Sequence, residues 1–167
     1  GTYMQEAVPV GTGTMAAMLG VEIDILEDIC REAAEGEVVS PANFNSPGQI
    51  VIAGTVNAVG RAIEIAKARG FRKAMLLPVS APFHCALMKP AADKLADRLK
   101  TVAISVPTVL VIHNVALSVS TTPDAVRSAL ARQEASPGRG VDASPRGRRG
   151  SGARRRPNAR RRREPWG

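Results

Sequence analysis

The sequence predicts an α/β fold. Three observations carry that prediction: two hydrophobic periods alternate along the chain, the first two helix-like stretches close on glycines, and the elements from Thr14 to Leu77 run in the order β-α-β-β-α-β. Thr14-Met15-Ala16-Ala17-Met18-Leu19 is a short apolar run closed by Gly20, hence a strand. From Asp24 to Ala34, apolar residues fall at Ile25, Leu26, Ile29, Cys30, Ala33 and Ala34, the spacing of one helix face, and Gly36 ends it. Val38 to Phe44 and Gln49 to Ala53 read as strands, joined into a hairpin by the turn residues Asn45-Ser46-Pro47-Gly48. Thr55 is placed to cap a helix whose buried side is Val56, Val59, Ala62, Ile63 and Ala66. Lys67 and Arg69 suit its negative end and Gly70 closes it. Lys73 to Leu77 is the last strand of the unit.

That order is the split, ferredoxin-like arrangement, assigned to residues 14–78. Beyond it the pattern predicts a helix from about Leu87 to Lys100, a strand from Val109 to His113 and a helix starting near Pro123, a good first-turn residue. This second part reads as an α/β layer continuing a larger sheet.

The net charge of +8 over 167 residues has one source. Residues 1–133 hold 12 basic and 12 acidic side chains; residues 134–167 hold 11 arginines against Glu134, Asp142 and Glu164. The body is a neutral globular sequence. The tail, without Leu, Ile, Phe or Met, cannot bury enough apolar area to offset chain entropy, and residues 144–167 are expected to be disordered. Arg, Pro, Gly, Ala and Ser share GC-rich codons, so Arg146-Gly147-Arg148-Arg149-Gly150 and Arg160-Arg161-Arg162-Arg163 look like a shifted reading frame in GC-rich DNA. The opening Gly1-Thr2-Tyr3 suggests a piece of a longer protein. Nothing resembles a signal peptide, and no apolar run reaches the roughly 20 residues of a membrane helix, so a reducing, cytoplasmic setting is expected. Cys30 and Cys85 share no metal-ligand spacing with each other or with the histidines, and no metal or other cofactor is expected.

The chain has two histidines. His84 sits on a Pro-punctuated turn, Leu77-Pro78-Val79-Ser80-Ala81-Pro82-Phe83-His84-Cys85, after an apolar run and before a helical segment. That setting suits an imidazole facing a cleft, although a lone histidine is more often a hydrogen-bonded structural residue than a catalyst. Consecutive side chains diverge, which argues against a Cys85–His84 dyad. His113-Asn114 closes a strand, where open α/β sheets place ligands, although a structural role fits His113 better. Met4 and Met15 are core fillers or pocket lining. Asn43 and Asn45 flank the hairpin turn, where asparagine is common for local reasons alone. Ser80 does not sit on a glycine elbow, and Gly11-x-Gly13 is too short for a nucleotide fingerprint.

Three blocks carry a resemblance: Met4-Gln5-Glu6-Ala7-Val8-Pro9; Pro41 to Gly54, reading Pro-Ala-Asn-Phe-Asn-Ser-Pro-Gly-Gln-Ile-Val-Ile-Ala-Gly; and Val79 to Asp93. Together they resemble the malonyl-CoA:acyl-carrier-protein transacylase family, with related acyltransferase domains in polyketide synthases. The similarity runs from Gly1 through Gln133 and fades over Ser136-Pro137, Arg139 and Val141-Asp142. It implies a ferredoxin-like insertion at 14–78 within an α/β-hydrolase-like core, of which residues 1–13 and 79–143 would be incomplete pieces. It also implies ping-pong acyl transfer. A serine on a G-H-S-x-G elbow attacks the malonyl thioester, a histidine takes its proton, backbone N–H groups hold the oxyanion, and an arginine forks onto the malonyl carboxylate. On this sequence the resemblance places the histidine at His84. Met4, Met15, Asn43 and Asn45 would line the pocket, Asn114 would lie near it, and Phe83 would match the malonyl-selective version. The implied substrates are malonyl-CoA and phosphopantetheinyl acyl carrier protein.

The departures are as definite. No G-x-S-x-G occurs in the chain, and the family's arginine would fall just before Gly1. The helper that orients the histidine is expected from a G-P-G-containing C-terminal region, where the Arg-rich tail stands instead. A chain without nucleophile or carboxylate clamp should not transfer malonate by itself. Two other functions fit the element order and charge. An RNA-recognition module would stack bases on strand aromatics, but Gln49-Ile50-Val51-Ile52-Ala53-Gly54 has none, leaving nonspecific anion binding by the tail. A non-catalytic interaction fragment would dock an acidic carrier protein.

Overall fold

The computed structural model describes residues 2–79 and 81–139. In chain order the elements are α1 (Thr2–Ala7), β1 (Gly13–Leu19), α2 (Ile23–Ala34), β2 (Val39–Ser46), β3 (Gln49–Thr55), α3 (Val56–Ala68), β4 (Ala74–Leu76), a 3-10 turn (Ala86–Met88), α4 (Lys89–Lys100), β5 (Val111–His113), β6 (Ser118–Ser120), α5 (Pro123–Gln133) and β7 (Gly138–Arg139). The Arg-rich tail, with its expected disorder, lies outside the described residues.

Five strands form one sheet in the order β4-β1-β3-β2-β7. The first four are mutually antiparallel, and β7 adds parallel to β2 through Asn43↔Gly138 and Phe44↔Arg139. The hairpin stands where the sequence puts it. Pro47 and Gly48 bridge Ser46 and Gln49, with Gly48 at φ 71, as proline then glycine in a type II turn require. Two bulges interrupt β2, where Ala42 and Asn45 are skipped in the register with β3.

Alternation along the strands builds a different layer on each side of the sheet. Ala16, Met18, Ile50 and Ile52 point to α2 and α3 and pack with Leu26, Ile29, Cys30, Ala33, Val59, Ala62 and Ile63. Both helices show most of the predicted apolar faces, but Ile25 in the first turn of α2 and Val56 at the first position of α3 are exposed, because both stand at helix starts, at the edge of the packed layer. Thr55 Oγ1 accepts from the Ala58 amide at 3.3 Å, the expected cap. Glu35 (φ 46) and Gly36 (φ 87) close α2, and Arg61 of α3 donates to the Ala33 and Ala34 carbonyls at 2.8 and 2.9 Å, occupying acceptors that the helix end leaves open.

Met15, Ala17, Val51 and Ala53 point the other way, and with Ala42 they are covered by the segment from Leu77 to Leu87. Residues Ile50 to Ala53 of β3 are buried throughout, so this central strand offers no open face on which bases could stack.

The structure revises several boundaries. The first residues form α1, held by tertiary contact: Met4 and Ala7 pack on Val8, Ala81 and Met88, and no periodic run announces the helix. The predicted 87–100 helix is a 3-10 turn followed by α4, with Pro90 in its first turn. The strand ending at His113 pairs with β6 in a separate two-stranded sheet and does not extend the five-stranded one. A turn through Leu117 at φ 48, rather than a glycine, hides that hairpin from sequence reading.

Candidate active site

His84 comes from the covering segment. After β4 the Leu77 amide bonds the Met15 carbonyl, and the chain returns across the sheet. Ala81, Pro82 and Cys85 are buried, whereas Phe83 and His84 are half-buried, so the imidazole is not sealed in apolar packing. His84 takes φ 58, the left-handed region that non-glycine residues rarely enter.

The ring is oriented by a residue that sequence reading missed. His84 Nδ1 lies 3.1 Å from the backbone carbonyl oxygen of Gln133, the last residue of α5. A carbonyl only accepts, so this contact assigns the proton to Nδ1 and leaves the Nε2 lone pair free to act as a base. The Gln133 side chain is held in turn, its Oε1 accepting from the Val115 amide at 3.2 Å. This corrects the expectation that the orienting helper is lost with the C-terminal region: α5 supplies a carbonyl within the chain. No side-chain signal could reveal it, because every residue has that group; the reach of the family resemblance to Gln133 is the one hint.

Three predicted pocket residues stand around this turn. Phe83 packs in the same cluster as Met15 and Cys85 on one side, and with Met4, Val8, Ala81 and Met88 on the other. Asn43 and Asn114 converge at Gly138: a Cβ there would lie 2.8 Å from Asn43 Nδ2 and 3.5 Å from Asn114 Oδ1. Asn45 is not brought in; it is a bulged, exposed residue beside the hairpin turn. Ser80 lies outside the described residues. His113 is buried at 8 % exposure, and its Nε2 has no partner among the described residues.

The thiols do not compete for the role of nucleophile. Cys30 and Cys85 are both free and buried. Burial, helped by the Glu27 charge, pushes Cys30 up to about 12. Burial also pushes Cys85 up, partly offset by the Leu87 and Met88 amides. Cys85 Sγ donates to the Pro82 carbonyl at 3.1 Å. No group of three or more His, Cys, Asp or Glu among the described residues could hold a metal, and no helix among them is long and apolar enough to cross a membrane.

The site as it stands is a half-buried imidazole held through Nδ1, on a turn whose neighbouring residues pack into apolar clusters. The chain is a member of the acyl transferase domain family, which it matches over residues 2–144. Among curated relatives it is 57 % identical over 133 residues to the malonyl CoA-acyl carrier protein transacylase of Escherichia coli K12, covering 80 % of this chain and 43 % of that protein. Among solved structures it is similar to an acyl carrier protein S-malonyltransferase from Vibrio cholerae, at TM-score 0.80 and 51 % identity over 83 % of this chain and 45 % of that one. It is also similar to a malonyl-transacylase solved with a type II polyketide synthase acyl-carrier protein, at TM-score 0.80 and 48 % identity over 83 % of this chain and 45 % of that one. The chain thus spans under half the length of these relatives.

Proposed function

We propose that this chain is the histidine-bearing part of a malonyl-CoA:acyl-carrier-protein transacylase. The observation that carries the reading is His84, with Nδ1 on the Gln133 carbonyl and Nε2 left as the basic nitrogen. In the proposed cycle Nε2 removes the proton from a serine hydroxyl as the oxygen attacks the malonyl thioester; it then returns the proton to the departing coenzyme A thiolate. The malonyl-serine ester is opened by the phosphopantetheine thiol of acyl carrier protein, with the same imidazole as base. Met4, Met15 and Phe83 are assigned to the acyl pocket wall, and Asn43 and Asn114 to its polar rim; Asn45, exposed, fits that role least well.

We read the β4-β1-β3-β2 unit at residues 14–78 as ferredoxin-like, and 1–13 with 79–143 as pieces of an α/β-hydrolase-like core. The two free thiols accord with action in the cytoplasm. The sequence carries no serine elbow, so the chain by itself is expected to be inactive.

The test is a hybrid in which residues 1–133 replace the matching stretch of the Escherichia coli transacylase. Malonyl transfer by the hybrid, lost on His84→Ala, supports the reading. A folded hybrid without transfer rejects it. Transfer by the purified chain alone would overturn the claim of inactivity.

A further inference from the structure

We propose that Gly13, Pro82 and Cys85 form a clamp that holds the backbone of His84 in its left-handed conformation, which makes Gly13 and Cys85 positioning residues for the imidazole. The inference rests on the reading of His84 as the base.

Two contacts fix Pro82 from opposite ends of the turn. Its carbonyl accepts the Cys85 thiol hydrogen at 3.1 Å, closing a loop with Phe83 and His84 inside it. Its ring lies against the bare backbone of Gly13 at the start of β1: a Cβ there would stand 2.3, 2.6 and 2.9 Å from Pro82 Cγ, Cδ and Cβ. Only glycine admits that approach. Pro82 and Cys85 are both fully buried, and Cys85 is seated on the sheet among Met15, Ala42, Val51 and Ala53. His84 lies between these fixed points with φ 58, a conformation that relaxes unless its surroundings over-determine it. If it relaxes, the ring leaves the Gln133 carbonyl, and nothing then selects the Nδ1–H form.

The readout is the tautomer of His84, from long-range 1H–15N spectra of the chain labelled at its imidazoles, recorded above their titration. With two histidines in the sequence, His113 serves as internal reference. Wild type should show the Nδ1–H form. Cys85→Ala and Gly13→Ala should each lower the Nδ1–H to Nε2–H ratio by about fivefold, the value of one ordinary hydrogen bond, with the amide spectrum of α2 and α3 unchanged. Cys85→Ser, close to alanine in volume but able to donate, should keep the wild-type ratio. An unchanged ratio in folded Cys85→Ala, or an equal loss in Cys85→Ser, overturns the clamp. So does failure of both Cys85 variants to fold while Cys30→Ala folds, since Cys85 would then serve the core alone. The measurement uses the chain by itself, so an inactive hybrid enzyme would reject the function without altering this result.

Discussion

The sheet carries a different kind of layer on each face. On one, α2 and α3 lay long aliphatic side chains (Leu26, Ile29, Val59 and Ile63) from regular helices against Met18, Ile50 and Ile52. On the other, an irregular segment covers mostly small residues, Ala17, Ala42 and Ala53, through single anchors such as Leu77, Phe83 and Cys85. Among the described residues the first layer joins more buried residues, most of them larger than alanine, and is expected to contribute more to stability. The second joins fewer, and its covering segment includes a left-handed histidine. The contrast shows a division of labour within one small sheet: regular packing on one side supports a backbone that bends into a left-handed residue at His84 on the other.

Mutations on the two faces should therefore separate. The largest effect is expected on the irregular side: in the hybrid enzyme, His84→Ala should lower turnover by about 10^4-fold or more, while the urea midpoint of the chain moves little because the ring is half-buried. A large midpoint shift would erase the distinction. On the helical side, Ile29→Ala should cost about 3 kcal/mol in urea unfolding, as a large-to-small change in a full core does, and leave the His84 tautomer untouched. Arg61→Ala should cost about 1–2 kcal/mol through its lost bonds to the end of α2. Thr55→Ala should remove about 1 kcal/mol with the α3 cap, and Thr122→Ala, at the exposed start of α5, about half as much.

The smallest effect is a dependence on pH. Hydrogen bonds from Arg61 and Thr55 hold the Glu37 carboxyl below its ordinary range. A lowered folded pKa stabilises above the ordinary carboxylate pKa, and the contribution disappears as pH falls through the depressed value. Wild type should thus exceed Glu37→Gln in stability at neutral pH and converge with it in acid; a gap that widens toward acid would reverse the assignment.

How much was legible follows from what each residue can announce. The α2 and α3 faces, the Thr55 cap and the Pro47-Gly48 turn all act through local rules, and they stand as read except at Ile25 and Val56, which the helix starts leave exposed. The bulges at Ala42 and Asn45 left no mark, because a skipped partner belongs to the pairing of two strands. They explain why Asn43 meets Asn114 across Gly138 while Asn45 faces solvent. Gln133 acts through a carbonyl, which carries no identity. The short elements α1, β6 and β7 exist through contacts made after the chain has folded, and none is long enough to show a period.

Side-chain periodicity and turn chemistry alone determined the order of the main elements, their inward faces and the candidacy of His84, because these depend on residues a few positions apart. The tertiary structure decided which face of the sheet the His84 segment would cover, which carbonyl would take the ring's Nδ1 and which asparagine would meet Asn114 at Gly138. Those outcomes depend on groups distant in sequence, such as Gln133 lying 49 positions from His84, brought together only when the return of the chain is fixed.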